Sequence, residues 1–162
     1  MKKNKNVSPN GEFILSFRYI GDIRFGPSFF RMKINGNIVK DMYFTRSFVW
    51  SADSRYLAVQ KWIELDPHNG PHTSIFLMDL KRDVWTEIAK TYKGLVNPVR
   101  INNEQIVFSK EYIAPGLPPY FEERKKFQDI KSWKKMEYFV PTKDSAECSS
   151  GSKRAEYEEQ TN

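Results

Sequence analysis

The sequence contains an internal repeat, and this feature constrains the fold more than any other. Shifting the chain by 43 residues places Ser8 over Ser51 and Phe13 over Tyr56. In both copies a polar turn leads into a short run of residues that favour β-strands. The same turn and strand are therefore expected twice in the fold.

The second half of the repeat unit recurs with nearly the same spacing. A shift of 46 residues aligns the segment 29–42 with the segment 75–88, and apolar side chains then match at alternate positions. A weaker third copy of the first strand lies in the segment 100–113. Self-similarity with a period in the forties is typical of the blades of β-propellers.

Apolar and polar residues alternate within each copy. Phe30, Met32 and Ile34 fall on one side of a strand, because side chains along a strand alternate with a period of two. Asn35-Gly36 follows them, a pair that tolerates the positive φ angles of tight hairpin turns. The sequence therefore predicts a mainly β protein of three antiparallel units, at about residues 6–43, 46–91 and 96–140.

Two segments carry a family resemblance. SPNGEFILSF and WSADSRYLAV, the second followed by IFLMDL, resemble the blade signature of β-propellers of the TolB and WD type. The resemblance covers about residues 7–110 and departs from the family pattern at Ala52 and Ser54, where proline and glycine are usual. Closed propellers typically have about 4 to 8 blades. The resemblance therefore implies an open partial β-propeller of about three antiparallel blades.

The C-terminal part of the chain is expected to differ from the repeats. Segment 119–133 has a proline and two glutamates near its start and is followed by two lysines, a charge order typical of a helix. In such a helix Phe127, Ile130 and Trp133 would share one face. We expect a short C-terminal helix there and then a last strand; the alternative is a hairpin that completes the third blade. A single domain at 1–141 is expected to end in a flexible tail at 142–162, which is poor in apolar residues.

Composition is typical of a soluble protein of the cytoplasm. No apolar run approaches the roughly 18 residues of a membrane span, the N-terminal residues lack the apolar stretch of an export signal, and the single cysteine, Cys148, cannot form an intrachain disulfide. Residues 1–46 hold nine Lys and Arg against three Asp and Glu, which accounts for the whole formal net charge of +6. A basic segment of this kind attracts acidic partners or nucleic acid.

The sequence offers little that could perform catalysis. His68 and His72 lie near Asp66 in a turn-rich loop, a combination that in principle could hold a metal ion. No clear further ligand accompanies them, and no motif joins either histidine to a serine or cysteine nucleophile. We therefore expect no enzymatic activity, no metal and no cofactor.

Recognition of a partner is the function that remains. The connections at 20–28, 63–72 and 113–122 are the long loop of each unit, and scaffolds commonly place binding residues on such loops. The partner-binding residues predicted from them are charged or aromatic, as interface residues often are: Arg24, Phe25, Glu64, Asp66, His68, Tyr120, Phe121 and Glu122.

A small binding protein without a catalytic constellation is similar to the immunity proteins that bacteria keep against delivered toxins. This resemblance implies a non-catalytic inhibitor that covers the active site of a cognate toxin, with a nuclease as one class, in a heterodimeric complex that involves no membrane. The alternative is a basic, nucleic-acid-associated binding module. The sequence argues against nucleic acid because no clear aromatic platform is interleaved with the Lys and Arg of the first blade.

Overall fold

Short β-strands make up most of the computed structural model, which describes residues 4–24, 26–66, 68, 70–113, 116 and 120–139. The prediction of a mainly β protein is thereby confirmed. The strands, in chain order, are β1 (Leu15–Gly21), β2 (Phe29–Ile34), β3 (Asn37–Val39), β4 (Phe44–Trp50), β5 (Tyr56–Glu64), β6 (His72–Asp79), β7 (Val84–Thr91), β8 (Gly94–Ile101), β9 (Gln105–Tyr112), β10 (Phe121–Lys126), β11 (Lys134–Lys135) and β12 (Tyr138–Phe139).

Hydrogen bonds connect these strands into one open network. Its main path runs β10-β9-β8-β6-β5-β4-β2-β3-β12, with β1 beside β2 and with β7 between β6 and β11. Two links in this path are narrow: Phe30 with Phe44 joins β2 to β4, and His72 with Gly94 joins β6 to β8 in parallel. The network therefore divides into a first sheet (β1, β2, β3, β12), a central sheet (β4 to β7, with β11) and a third sheet (β8 to β10).

The central sheet is buried on both faces. Leu57 and Val59 of β5 contribute to a hydrophobic core shared with the first sheet, whereas Ala58 between them contributes to a second core shared with the third sheet. All three are fully buried. Alternation along the strand therefore sends successive apolar side chains into two different cores, and the three sheets are layered face to face.

The repeated turn of the sequence is also repeated in the structure. Ser51 Oγ accepts a hydrogen bond from the amide of Tyr56 at 2.8 Å and donates one to Asp53 Oδ1 at 2.6 Å. In the first copy, Ser8 Oγ accepts from the amide five residues later at 3.0 Å and donates to the side chain two residues later at 2.8 Å. Each serine thus stabilises the turn that starts a repeat unit.

The helix expected over 119–133 is wrong. Residues Phe121–Lys126 form β10, which pairs with β9 in antiparallel register, and only Phe127–Asp129 form a short 3-10 helix. Of the alternative, a hairpin that completes the third blade, the structure shows the antiparallel pairing of β9 with β10. The backbone N–H and C=O groups of β10 form hydrogen bonds with the edge of β9, whereas in a helix they would have to bond within the segment itself. Phe127, Ile130 and Trp133 nevertheless all contribute to the second core, where the ring of Phe127 stacks on Tyr56 with 4.2 Å between centroids.

The last described residues connect the first and central sheets. β11 pairs with β7, β12 pairs with β3, and Met136 between them is buried in the first core. Residues 140–162, which include Cys148 and the expected tail, lie outside the described residues. Among the residues that the structure describes, no helix is long and apolar enough to cross a membrane.

Candidate functional site

The second and third long loops meet at the turn between β7 and β8. Gly94 donates a backbone hydrogen bond to Pro71 O at 2.9 Å, which fixes the end of the β5–β6 loop. Ile113 donates a backbone hydrogen bond to Lys93 O at 3.1 Å, which fixes the start of the β9–β10 loop. These bonds bring two loops that are distant in sequence to one edge of the molecule.

The first long loop lies at the same end of the central sheet. A Cβ atom on Gly26 would lie 3.2 Å from the indole of Trp62, a buried residue near the C-terminal end of β5. Within this loop Ser28 donates a hydrogen bond to Asp22 at 2.6 Å. We call the described residues of 22–28, 65–71, 92–93 and 113–120, with the adjoining Glu64, His72, Phe121 and Glu122, the loop end.

Three large apolar side chains of the loop end are exposed to solvent. Tyr92 is 60% exposed, Ile113 60% and Tyr120 57%. Tyr92 is supported from below by the ring of His72, with 4.9 Å between centroids and a nearly perpendicular arrangement. The sequence had indicated only Tyr120. Tyr92 directly follows β7, and Ile113 directly follows β9. No sequence pattern around either residue indicates a binding role, because their exposure depends on how the two loops meet.

The sequence also predicted Phe25 and Phe121 as partner-binding residues. The ring of Phe121 stacks on Tyr112 at 5.8 Å and is only partly exposed, so that it supports the loop more than it presents a binding surface. Phe25 lies outside the described residues. Arg24 and Glu122, two other predicted binding residues, are exposed at the loop end.

Two acidic residues of the loop end, Glu64 and Asp66, each lie beside a histidine. Glu64 Oε1 is 3.0 Å from Nδ1 of His72, and Asp66 Oδ1 is 2.9 Å from Nδ1 of His68. The backbone amide of His68 also donates to Asp66, and these hydrogen bonds, the amide first, hold the pKa of that carboxyl below its ordinary value. The two histidines therefore belong to separate pairs. No group of three or more metal-binding side chains occurs among the described residues.

A groove of about 770 Å³ lies at the opposite end of the sheets. The N-terminal segment forms one wall, and the ends of β4 and β8 form the others, with Phe48, Trp50 and Val99 among the lining side chains. Trp50 Nε1 donates to Lys5 O at 2.8 Å and fixes that wall. The described lining contains no acidic residue, histidine or cysteine, and the hydroxyl of its serine, Ser8, is engaged in the turn by hydrogen bonds with Asn10 and with the amide of Phe13.

Comparison of the chain with protein-family models, with curated proteins and with solved structures finds no match at any of the three levels.

Proposed function

We propose that this chain is a non-catalytic protein-binding inhibitor that uses the loop end to cover its partner. The observation that carries the proposal is the group formed by Tyr92, Ile113 and Tyr120, each more than half exposed around the joined loops. A few well-packed side chains near the centre of an interface, often tyrosines, supply most of its binding energy. Three large exposed side chains at one end of a layered β scaffold favour a protein partner.

The loop end also carries charged side chains. Arg24, Asp66 and Glu122 are exposed, and Glu64 lies beside His72 at the foot of Tyr92. A polar rim around an apolar centre is the usual anatomy of a protein interface. A surface of about 800 Å² per partner is typical of a stable complex, and an area of that size would cover an ordinary active cleft.

More specifically, we propose an immunity-type inhibitor of a bacterial toxin. Nucleases are one class of toxin that such an inhibitor would neutralise. Inhibition by covering a site requires shape and a few apolar anchors, and needs no reaction chemistry. Nuclease clefts attract phosphates and so favour acidic inhibitors. The whole net positive charge of the chain lies in residues 1–46, whereas the predicted binding residues include Glu64, Asp66 and Glu122. The acidic residues of the loop end therefore suit a nuclease cleft, although the chain as a whole has a positive net charge.

We further propose that the three sheets are three blades of an open partial propeller. The repeated Ser8 and Ser51 turns and the face-to-face layering on both sides of the central sheet support this organisation. In such an arrangement the loops between equivalent strand pairs emerge at one end, and the contacts of Gly94 and Ile113 with neighbouring loops agree with this.

The test is capture of the partner from the cytoplasm of the native host by the tagged full chain, followed by binding measurements with the purified pair. We expect Ile113→Ser to weaken binding about tenfold or more, because it removes an apolar anchor. Ile14→Ser is the matched control, since Ile14 is 56% exposed but lies beside the Asn35-Gly36 hairpin, away from the loop end. Equal loss in both variants, or binding that disappears at moderately raised salt, would contradict an apolar interface at the loop end.

A second pair of variants separates the loop end from the basic residues of the first sheet. Asp66→Lys combined with Glu122→Lys should slow association at low salt, because these exposed charges steer the encounter. If binding survives that change and is abolished by substituting Arg18, Arg31 and Lys33, the partner binds elsewhere and the placement is wrong. The captured protein must also lose its activity in the complex for the inhibitor function to hold.

A further inference from the structure

The outward surface of the first sheet gathers most of its basic side chains. Met32 and Ile34 of β2 face the core, and alternation therefore points Arg31 and Lys33 outward. Arg18 of β1 is the direct cross-strand partner of Arg31. We call the surface formed by Arg18, Arg31, Lys33, Tyr43 and Phe139 the basic face.

The positive charge of the basic face is not neutralised within the described part of the chain. Every ion pair found there lies between residues 55 and 123, in the central and third sheets and the loop end. Two like charges directly opposite each other on paired strands are unfavourable. Arg18 and Arg31 occupy such positions, and an anion bound between them would relieve their repulsion.

Arg31 is held in a fixed orientation over an aromatic ring. Its guanidinium carbon is 4.3 Å from the centroid of the Tyr43 ring. The guanidinium nitrogens donate hydrogen bonds to Tyr43 Oη at 3.2 Å and to Met42 O at 3.4 Å. The edge of Phe29 contacts Tyr43 from the side, with 5.5 Å between centroids. The guanidinium is thus held over the ring, an arrangement that we call the Arg31–Tyr43 platform. Less rotational freedom is lost when a ligand binds to a side chain that is already held in place.

A second aromatic side chain lies at the other end of the same surface. Lys33 is the cross-strand partner of Ile38, and Ile38 is the partner of Phe139, which is 49% exposed. Residues two apart on one strand face are separated by about 7 Å and neighbouring strands by about 4.8 Å. The basic face thus carries three cations, Arg18, Arg31 and Lys33, and two aromatic side chains, Tyr43 and Phe139.

We propose that the basic face binds a single strand of nucleic acid. Arg18, Arg31 and Lys33 contact phosphates, while bases stack on the Arg31–Tyr43 platform and on Phe139. Cations that follow a backbone together with aromatic surfaces for bases are the two parts of single-strand binding sites, and guanidinium planes also accept stacked bases. The slightly curved surface of a sheet suits unpaired bases better than the grooves of a duplex, which are entered by a helix or a narrow ribbon. This activity is separate from the loop end and does not depend on the function proposed for it.

The test is fluorescence anisotropy with fluorescein-labelled oligothymidylate and oligouridylate of about 12 nucleotides. Three phosphate contacts predict a slope of about −2 when the logarithm of the association constant is plotted against that of the salt concentration. Arg18→Gln with Lys33→Gln should reduce the slope to about −0.7, because one contact remains. Tighter binding of one oligonucleotide identifies DNA or RNA as the ligand.

Arg124→Gln with Lys125→Gln is the matched control, since both residues are exposed on β10 in the third sheet and the change in net charge is the same. It should leave the slope unchanged. Phe139→Ala should weaken single-strand binding at least about fivefold through lost stacking, with thermal melts confirming that the variants fold. The proposal is overturned if neither oligonucleotide binds at low salt, or if the control variant loses as much affinity as the variant of Arg18 and Lys33. It is also overturned if poly-glutamate competes as well as the oligonucleotides do, because the ligand of the basic face would then be an acidic protein.

Discussion

The backbone amide of Asn10 donates a hydrogen bond of 2.8 Å to the hydroxyl of Ser54 and thereby joins the turn of the first repeat to the turn of the second. Ser54 is buried and has a φ angle of +63°, the left-handed conformation that Gly11 adopts at the equivalent position with +78°. The second copy of the repeat thus keeps a serine where glycine would fit the backbone better. We infer that the bond to Asn10 offsets the backbone cost of Ser54.

Two substitutions of Ser54 separate the hydrogen bond from the backbone strain. Ser54→Ala should destabilise the protein by about 1 to 3 kcal/mol, because it leaves the Asn10 amide without its partner while the unfavourable φ remains. Ser54→Gly should cost less, since glycine adopts positive φ without a steric penalty. Urea unfolding of the three proteins measures the difference. A glycine variant less stable than the alanine variant would show that strain at this position is unimportant.

Gln60 connects the central sheet to the third sheet through a buried polar network. Its Oε1 accepts from Thr45 Oγ1 at 2.8 Å, and its Nε2 donates to Val96 O at 2.8 Å and to Asn97 Oδ1 at 3.1 Å. Gln60→Leu should cost about 2 kcal/mol, because it leaves buried groups on two strands without partners. Adding Thr45→Val should recover part of that loss, and strictly additive free energies in the double-mutant cycle would contradict coupling.

Asp79 should make the stability depend on pH in the acidic range. Burial alone would raise the pKa of this carboxyl, but hydrogen bonds from Arg55 at 2.9 Å and Arg82 at 2.7 Å outweigh it and hold the pKa below its ordinary value. A folded-state pKa below the unfolded one stabilises the fold above the unfolded value, about 3.9, and this stabilisation is lost as the pH falls further.

Asp79→Asn should therefore cost about 3 kcal/mol at neutral pH, since it leaves the two guanidinium groups without their buried partner. The difference between wild type and variant should shrink as the pH is lowered below about 4. Asp129→Asn, at an exposed position, is the control and should retain the wild-type stability at neutral pH. An Asp79→Asn protein whose unfolding free energy falls with acid as steeply as that of the wild type would refute the assignment.

Gly94 allows the loops of the loop end to approach each other. A Cβ atom at this position would lie 2.7 Å from Glu111 O and 2.8 Å from Cγ2 of Thr91. Gly94→Ala should therefore destabilise the protein by about 1 to 3 kcal/mol, because backbone must shift. Gly21→Ala is the comparison, since its added methyl meets only the Phe29 ring, at 2.8 Å, which can rotate away. Equal melting temperatures for the two variants would show that the β8–β9 contact is loose.

The repeated turns and strands could be predicted from the sequence because their interactions are local. The serine of each turn bonds to groups two and five residues away, and strand alternation depends on neighbouring residues alone. The pattern therefore indicated both the mainly β class and the two clearest repeat units. It also indicated that the long loops would be candidate binding segments.

The C-terminal segment could not be assigned in this way. The charge order of 119–133 and the spacing of Phe127 and Ile130 satisfy the local rules for a helix, yet β10 forms because the edge of β9 is available for pairing. Local preference for a helix is weak, and pairing with an existing strand overrides it. Only the arrangement of distant strands decided between the two structures.

The composition of the candidate surfaces was likewise decided by the tertiary structure. Arg18 and Arg31 face each other because β1 and β2 pair in one register, and a shift of one residue would send one of them to the opposite face. Tyr92 and Ile113 come to one end because backbone hydrogen bonds at Lys93 and Gly94 join loops that are distant in the chain. The sequence by itself determined the local units and the sign of their charge; which side chains share a surface depends on long-range register, which no local pattern encodes.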